Sequence, residues 1–207
     1  MSSPLSRRVW LGATLGLTLA SRVGEAAEQS ATTTVALLPL GPFPAGLLGQ
    51  IDSGLQAELG CKVVRYPTAS LPPSAYYRPR QRYRAEKLLV YCRDQRKPPA
   101  TKILGVTTVD ISTTARGVYD WGVLGLGQLG GPACVMSTFR CRRRATSEKQ
   151  VNFRMVTTCI HEVGHTLGLD HCADTRCLMT DAHGSVLTVD KTSGHLCSDC
   201  RQRLGIS

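Results

Sequence analysis

At 207 residues and 42% hydrophobic content, the chain is long enough to bury one core, and downstream of residue 27 every apolar run is broken well short of the roughly 20 residues that a membrane span needs. The formal charge of +10 points to anionic partners or a solvated basic face, while 5% aromatic content leaves little stacking apparatus for nucleic acid. A soluble mature protein without a nucleic-acid partner is therefore expected.

Arg7 and Arg8 precede an apolar stretch over 9–20, and small residues over 24–27 offer a cleavage site, the layout of an export signal. The order Ser6-Arg7-Arg8-Val9-Trp10-Leu11 resembles a twin-arginine signal of bacteria. Residues 1–27 are expected to be such a leader, the protein to be exported (periplasmic or secreted), and 28–207 to form one domain; a short N-terminal helix or a membrane anchor is the alternative. With the leader's three arginines and one glutamate removed, the charge is +8. Much of it lies in two clusters, from Arg78 to Lys97 and from Arg140 to Arg144, read here as solvated basic faces.

A β-branched run over 32–38, stopped by Pro39, predicts a first strand; an amphipathic stretch over 43–59, ended by Gly60, predicts a helix; 61–66 predicts a second strand. Four prolines make 67–79 a loop, and 83–94 resumes helical spacing. Residues 103–111 are the clearest strand. A Gly-rich passage over 117–131 follows, then an apolar run over 133–139, so helices and strands alternate as in a mixed α/β domain. Ser147 and Gln150 make a capping box for a helix in which Val156, Ile160, Val163 and Leu167 recur on one face. A short helix is expected over 200–204.

On that helix His161 and His165 stand four residues apart, so both imidazoles share one face. Glu162 lies beside them without taking a ligand position, as a general base requires. The full string His161-Glu162-Val163-Gly164-His165-Thr166-Leu167-Gly168-Leu169-Asp170-His171 is HExxHxxGxxH. Its glycine can adopt φ > 0, end the helix and bring a third histidine back to the same metal. Three histidines and an open position describe a catalytic zinc site rather than a closed structural one.

Cys172, Cys177, Met179, Cys197 and Cys200 follow at once. After the third histidine the order is a cysteine, four residues, a cysteine, one residue, a methionine, seventeen residues, then CxxC, and in this the chain resembles the archaemetzincins, a family of zinc metallopeptidases in the metzincin clan. The resemblance implies a single metzincin-like domain: a mixed twisted sheet, a long catalytic helix and a small C-terminal zinc-bound lobe. It assigns His161, His165 and His171 to a catalytic zinc, Glu162 to acid/base work and Met179 to the Met-turn beneath the metal. It gives Cys172, Cys177, Cys197 and Cys200 to a second, structural zinc. Read from the residues alone, the four thiols form either such a zinc site or two disulfides, with a redox CxxC as a third possibility. His195 is a minor alternative ligand, and His183 reads as an ordinary surface histidine.

Cys61, Cys92, Cys134, Cys141 and Cys159 remain. Their odd number leaves at least one thiol unpaired; Cys134 and Cys141 could bridge, and Cys159 reads as a buried small residue. The expected activity is peptide-bond hydrolysis by a monomer acting on a peptide or protein, using two Zn²⁺ and a Glu162 general base, with 133–139 as the edge strand that pairs with the substrate. The rival readings are a catalytically idle, zinc-stabilised binding module and a zinc hydrolase of non-peptide amides.

Overall fold

A computed structural model describes residues 33–206; the twin-arginine-like leader expected at 1–27 lies outside them. The strands are β1 (Thr34–Leu40), β2 (Lys62–Arg65), β3 (Tyr76–Tyr77), β4 (Arg82–Arg84), β5 (Lys102–Thr107), β6 (Ile111–Ala115), β7 (Val118–Gly122), β8 (Gly125–Gly127) and β9 (Ala133–Ser137). The α-helices are α1 (Ala45–Leu59), α2 (Ala85–Gln95), α3 (Thr138–Cys141), α4 (Glu148–Thr166), α5 (Val186–Val189) and α6 (Ser198–Arg203).

One sheet has the order β2-β1-β5-β9-β8, parallel throughout except for β8, which runs antiparallel to β9 at its edge. Its middle strands are buried on both faces, which is why they read as unbroken apolar runs. Val35 and Leu37 face the core shared with α1 and α4, while Ala36, Leu38 and Leu40 face a second core that includes Leu88 and Cys92 of α2. Cys134 and Met136, against Ala133 and Val135, divide β9 in the same way. A second, four-stranded sheet has the order β3-β4-β6-β7. The fold is mixed α/β, as expected, but with two sheets.

Several boundaries moved for identifiable reasons. Strand β1 does not stop at Pro39. The carbonyls of Leu37 and Pro39 accept from Tyr66 and Ala69 on the β2 side, so the missing proline N–H faces a flank where β2 has already ended at Arg65. The strand expected over 103–111 breaks after Thr107 and resumes as β6 in the other sheet. The run over 133–139 leaves the strand at Ser137, whose hydroxyl caps α3 by accepting from Phe139 N–H at 3.1 Å. The Gly-rich passage contains β7 and β8, with Arg116 (φ 52°) and Gly117 (φ 74°) forming the two-residue turn between β6 and β7.

Most of the two basic clusters is exposed to solvent, as expected, but Arg82, Arg84 and Arg140 are not. Arg82 pairs with Asp110 and Asp120, Arg140 grips Asp110 through two nitrogens, and Arg84 is buried against Glu86 and the Tyr119 carbonyl. The acids that neutralise Arg82 and Arg140 lie about thirty to forty residues away in the chain and so were invisible to local charge counting.

Candidate active site

Helix α4 begins at Ser147 as expected, with Ser147 Oγ accepting from Gln150 N–H at 3.2 Å, but the Gln150 side chain accepts at 2.9 Å from Thr146 N–H, one residue before the position a closed capping box would use. It ends at Gly168, φ 94°, in a Schellman turn: Leu169 N–H reaches the Gly164 carbonyl and Gly168 N–H the His165 carbonyl, both at 3.0 Å. Lys102 caps the same end by donating to the Thr166 carbonyl at 2.6 Å. The reversal returns His171 to the helix, where its ring centroid lies 5.4 Å from that of His161 and 4.9 Å from that of His165. One ligand atom from each of the three histidines lies within 4.8 Å of the others.

The tautomers follow from the partners. His161 Nδ1–H donates to the Leu178 carbonyl at 3.0 Å, and His165 Nδ1–H donates to the Leu169 carbonyl at 2.7 Å. Both Nε2 atoms are thereby left as lone-pair acceptors, and they face one another at 3.0 Å. Burial pushes His161 down to about 4 and lowers His165 as well, so neither ring carries the proton that could bridge them near neutrality. Two convergent lone pairs with their other nitrogens already committed are the donor set of a cation, and imidazole nitrogens suit zinc.

Glu162 is buried on the same turn, and that burial raises its carboxyl to about 8. Strand β8 lies directly over it: a Cβ on Gly127 would stand 2.7 Å from Glu162 Oε2, and one on Gly125 would stand 3.0 Å from its Cγ. Beneath the histidines Met179 is fully buried. Its sulfur fits because residue 164 is glycine, where a Cβ would come within 2.8 Å.

The four C-terminal cysteines meet in one group. Cys172 Sγ is 3.7 Å from Cys197 Sγ, and Cys177 Sγ is 3.8 Å from Cys200 Sγ, all four lying within 4.8 Å of one another. A tetrahedral zinc with Zn–S of about 2.3 Å has S···S edges of about 3.8 Å, so the residues fit that ion, and no disulfide joins them. Cys177 Sγ also accepts from the backbone N–H groups of Met179 and Cys197, each at 3.4 Å. The Leu178–Met179 peptide group therefore has its carbonyl on His161 and its N–H on Cys177. His195 stays out of this group; its ring donates to Glu58 at 2.7 Å, and the same carboxylate accepts from Leu196 N–H at 3.1 Å.

The other five cysteines are buried and unpaired. Burial lifts Cys61 to about 11 and Cys92 and Cys141 to about 12, so they behave as small apolar residues; the bridge considered for Cys134 and Cys141 does not form.

A cavity of about 250 Å³ opens between β8 and residues 178–184, and its walls include His161, Glu162, His165, His171, Asp181 and His183. Sequence reading placed the first four and missed the last two. Asp181 accepts from the backbone N–H of His183 at 2.7 Å, and its carboxylate lies 3.0 Å from His183 Nδ1. The strand expected to receive substrate, 133–139, is not an edge: β9 is flanked by β5 and β8, and β8 forms the rim of the cavity.

The profile of peptidase family M54 matches residues 56–205, a segment that holds every residue of both groups. The chain belongs to peptidase family M54. It is 32% identical to the archaemetzincin of Natronomonas pharaonis, over 82% of this chain and 98% of that one, and 31% identical to the archaemetzincin of Halobacterium salinarum, over 81% and 97%. Among solved structures it superposes on the archaemetzincin of Methanopyrus kandleri with a TM-score of 0.72 at 29% identity, covering 86% of this chain and 97% of that one. For the archaemetzincin of Archaeoglobus fulgidus the values are 0.68, 27%, 83% and 99%. Membership in family M54 makes the protein a zinc metallopeptidase of mixed α/β fold, with the histidine triad and the cysteine tetrad as its candidate metal groups.

Proposed function

We propose that the protein hydrolyses peptide bonds in the cleft between β8 and residues 178–184, with His161, His165 and His171 holding a catalytic zinc and Cys172, Cys177, Cys197 and Cys200 holding a structural one. The observation that carries this is the pair of Nε2 lone pairs 3.0 Å apart, each ring fixed from behind by a backbone carbonyl. Zinc held there supplies a Lewis acid to the scissile carbonyl. The rest is the work of this chain. Glu162 takes a proton from the attacking water and returns it to the leaving amine. The free edge of β8, being antiparallel-capable backbone on the cleft rim, pairs with an extended peptide. Met179 supports the triad from below. A twin-arginine-like leader over 1–27, with export of the 28–207 domain, belongs to the same reading; N-terminal sequencing of secreted or periplasmic protein checks it.

The test is Glu162→Gln. It keeps the shape of the side chain and removes the base, so metal analysis should return the parent's zinc content while peptide turnover falls by about 10²–10⁴. Turnover equal to the parent's would refute the role given to Glu162.

A further inference from the structure

A second cavity, again of about 250 Å³, lies beside the cleft. Arg140, Arg143 and Arg144 form one wall and residues 184–187 the other; Gly184 also lines the cleft, so the two spaces meet at that residue. Arg140 is engaged by Asp110, and the nearby Arg142 reaches out to Glu148. Arg143 and Arg144 are exposed, and among the described residues no carboxylate lines this cavity. Arg143 and Arg144 therefore reach this space without a carboxylate on its walls to pair with.

The arrangement is nevertheless held rigidly. Arg154, fully buried, donates to the Cys141 carbonyl at 2.7 Å and the Arg143 carbonyl at 2.8 Å, fixing the backbone that carries the arginines. The same guanidinium grips Asp190 through two nitrogens, at 2.7 and 2.6 Å. Asp190 directly follows α5, which contributes the opposite wall. One buried cation therefore ties both walls together, and Arg144 is held at φ 54°, a conformation that a non-glycine residue adopts only when its surroundings impose it. A carboxylate-free pocket whose arginines stand on a fixed backbone, opening onto a peptide cleft, has the chemistry of a carboxylate receptor.

We propose that this pocket is a substrate subsite that receives a carboxylate of the peptide, so that the enzyme favours substrates with an acidic group at one fixed distance from the scissile bond. The inference rests on the cleft being the peptide site. The carboxylate can come from an Asp or Glu side chain or from the peptide's own C-terminus, and the experiment separates the two.

Zinc-loaded Glu162→Gln protein is titrated, by fluorescence anisotropy, with a ladder of alanine-rich peptides in which one glutamate is walked along the chain. Each peptide is made with glutamine as the matched control and with free and amidated C-termini. A gain of about tenfold over glutamine at one position only supports the proposal and identifies a side chain as the source. A similar gain for free over amidated termini, at one peptide length only, supports it and identifies the C-terminus. The double substitution Arg143→Gln with Arg144→Gln should bring either ratio close to one. The double substitution Arg143→Glu with Arg144→Glu should transfer the preference to lysine at the same position, a result that a misfolded variant could not give. Equal binding of glutamate and glutamine peptides, no binding of any peptide, or a gain that is the same at every position would overturn the subsite. Because binding is measured without turnover, failure of the parent to cleave the ladder would count against the peptidase reading alone.

Discussion

Gly127→Ala is the most informative single change, because it adds one methyl group between the edge strand and the candidate base. The new Cβ would lie 2.7 Å from Glu162 Oε2 and 2.9 Å from the Glu162 backbone carbonyl, against 3.4–4 Å for ordinary van der Waals contact. The carbonyl belongs to helix α4 and cannot give way, so β8 must lift or the carboxyl must swing, by several tenths of an ångström. Forcing a methyl into packed surroundings costs about 1–3 kcal/mol, while replacing glycine returns about 0.4–1 kcal/mol through the unfolded chain. Strain therefore wins by about 1.3 kcal/mol at the centre of these ranges, which for a domain of this size lowers Tm by roughly 3–5 °C. Activity should suffer more than stability, since displacements approaching 1 Å at reacting groups cost about 10²-fold. Gly46→Ala is the control: it lies in the first turn of α1, and nothing stands within 4 Å of its Cβ, so it should raise Tm and leave kcat/KM alone. Thermal melts and peptide kinetics on the two variants decide the matter. A Gly127→Ala enzyme with parental kcat/KM and a Tm as high as that of Gly46→Ala would refute the placement of β8 over Glu162.

Asp190→Asn leaves the fully buried Arg154 without its counter-ion and should cost about 3–5 kcal/mol in urea unfolding. The Arg154 guanidinium holds the Asp190 carboxyl below the usual range, so the pair's contribution is present in full above the ordinary aspartate value of about 4 and fades as pH falls through Asp190's own lower pKa. The stability gap between parent and variant should hence be level from about pH 5 to 8 and narrow below about pH 4. Cys197→Ser removes one corner of the thiol group, and because structural zinc carries roughly 10–16 kcal/mol of apparent binding free energy in small modules, residues 172–206 should become protease-sensitive, with zinc content falling by one equivalent relative to the parent.

What could be read in advance was what local spacing encodes. His161, Glu162 and His165 are related by the helical repeat, and Gly168 announces the turn that returns His171; the cysteines and Met179 follow at short intervals. What escaped was set by partners distant in sequence or by backbone atoms. An apolar run such as 133–139 does not say which strand will flank it, so the edge was assigned to β9 when a three-residue, glycine-bearing strand holds it. Gly125 and Gly127 were noticed only as part of a Gly-rich passage, because their reason, the space above Glu162, exists only once β8 and α4 are packed together. Likewise the carbonyls of Leu178 and Leu169, which set the histidine tautomers, carry no residue-type signature. Arg82, Arg84 and Arg140 looked like surface charge because their partners Asp110, Asp120 and the Tyr119 carbonyl reach them through the second sheet.

The Leu178–Met179 amide, with its oxygen on His161 and its hydrogen on Cys177, is a planar plank laid between the two candidate metal groups. A peptide group resists twisting, so it cannot drop at one end without tipping at the other. Filling or stripping the thiol group then levers the imidazole, and negative charge gathered on Cys177 draws on the amide hydrogen, enriches the oxygen and tightens its hold on the ring. A spectroscopic ion seated among the histidines would in this sense report the state of sulfur atoms that never touch it, through a single peptide unit.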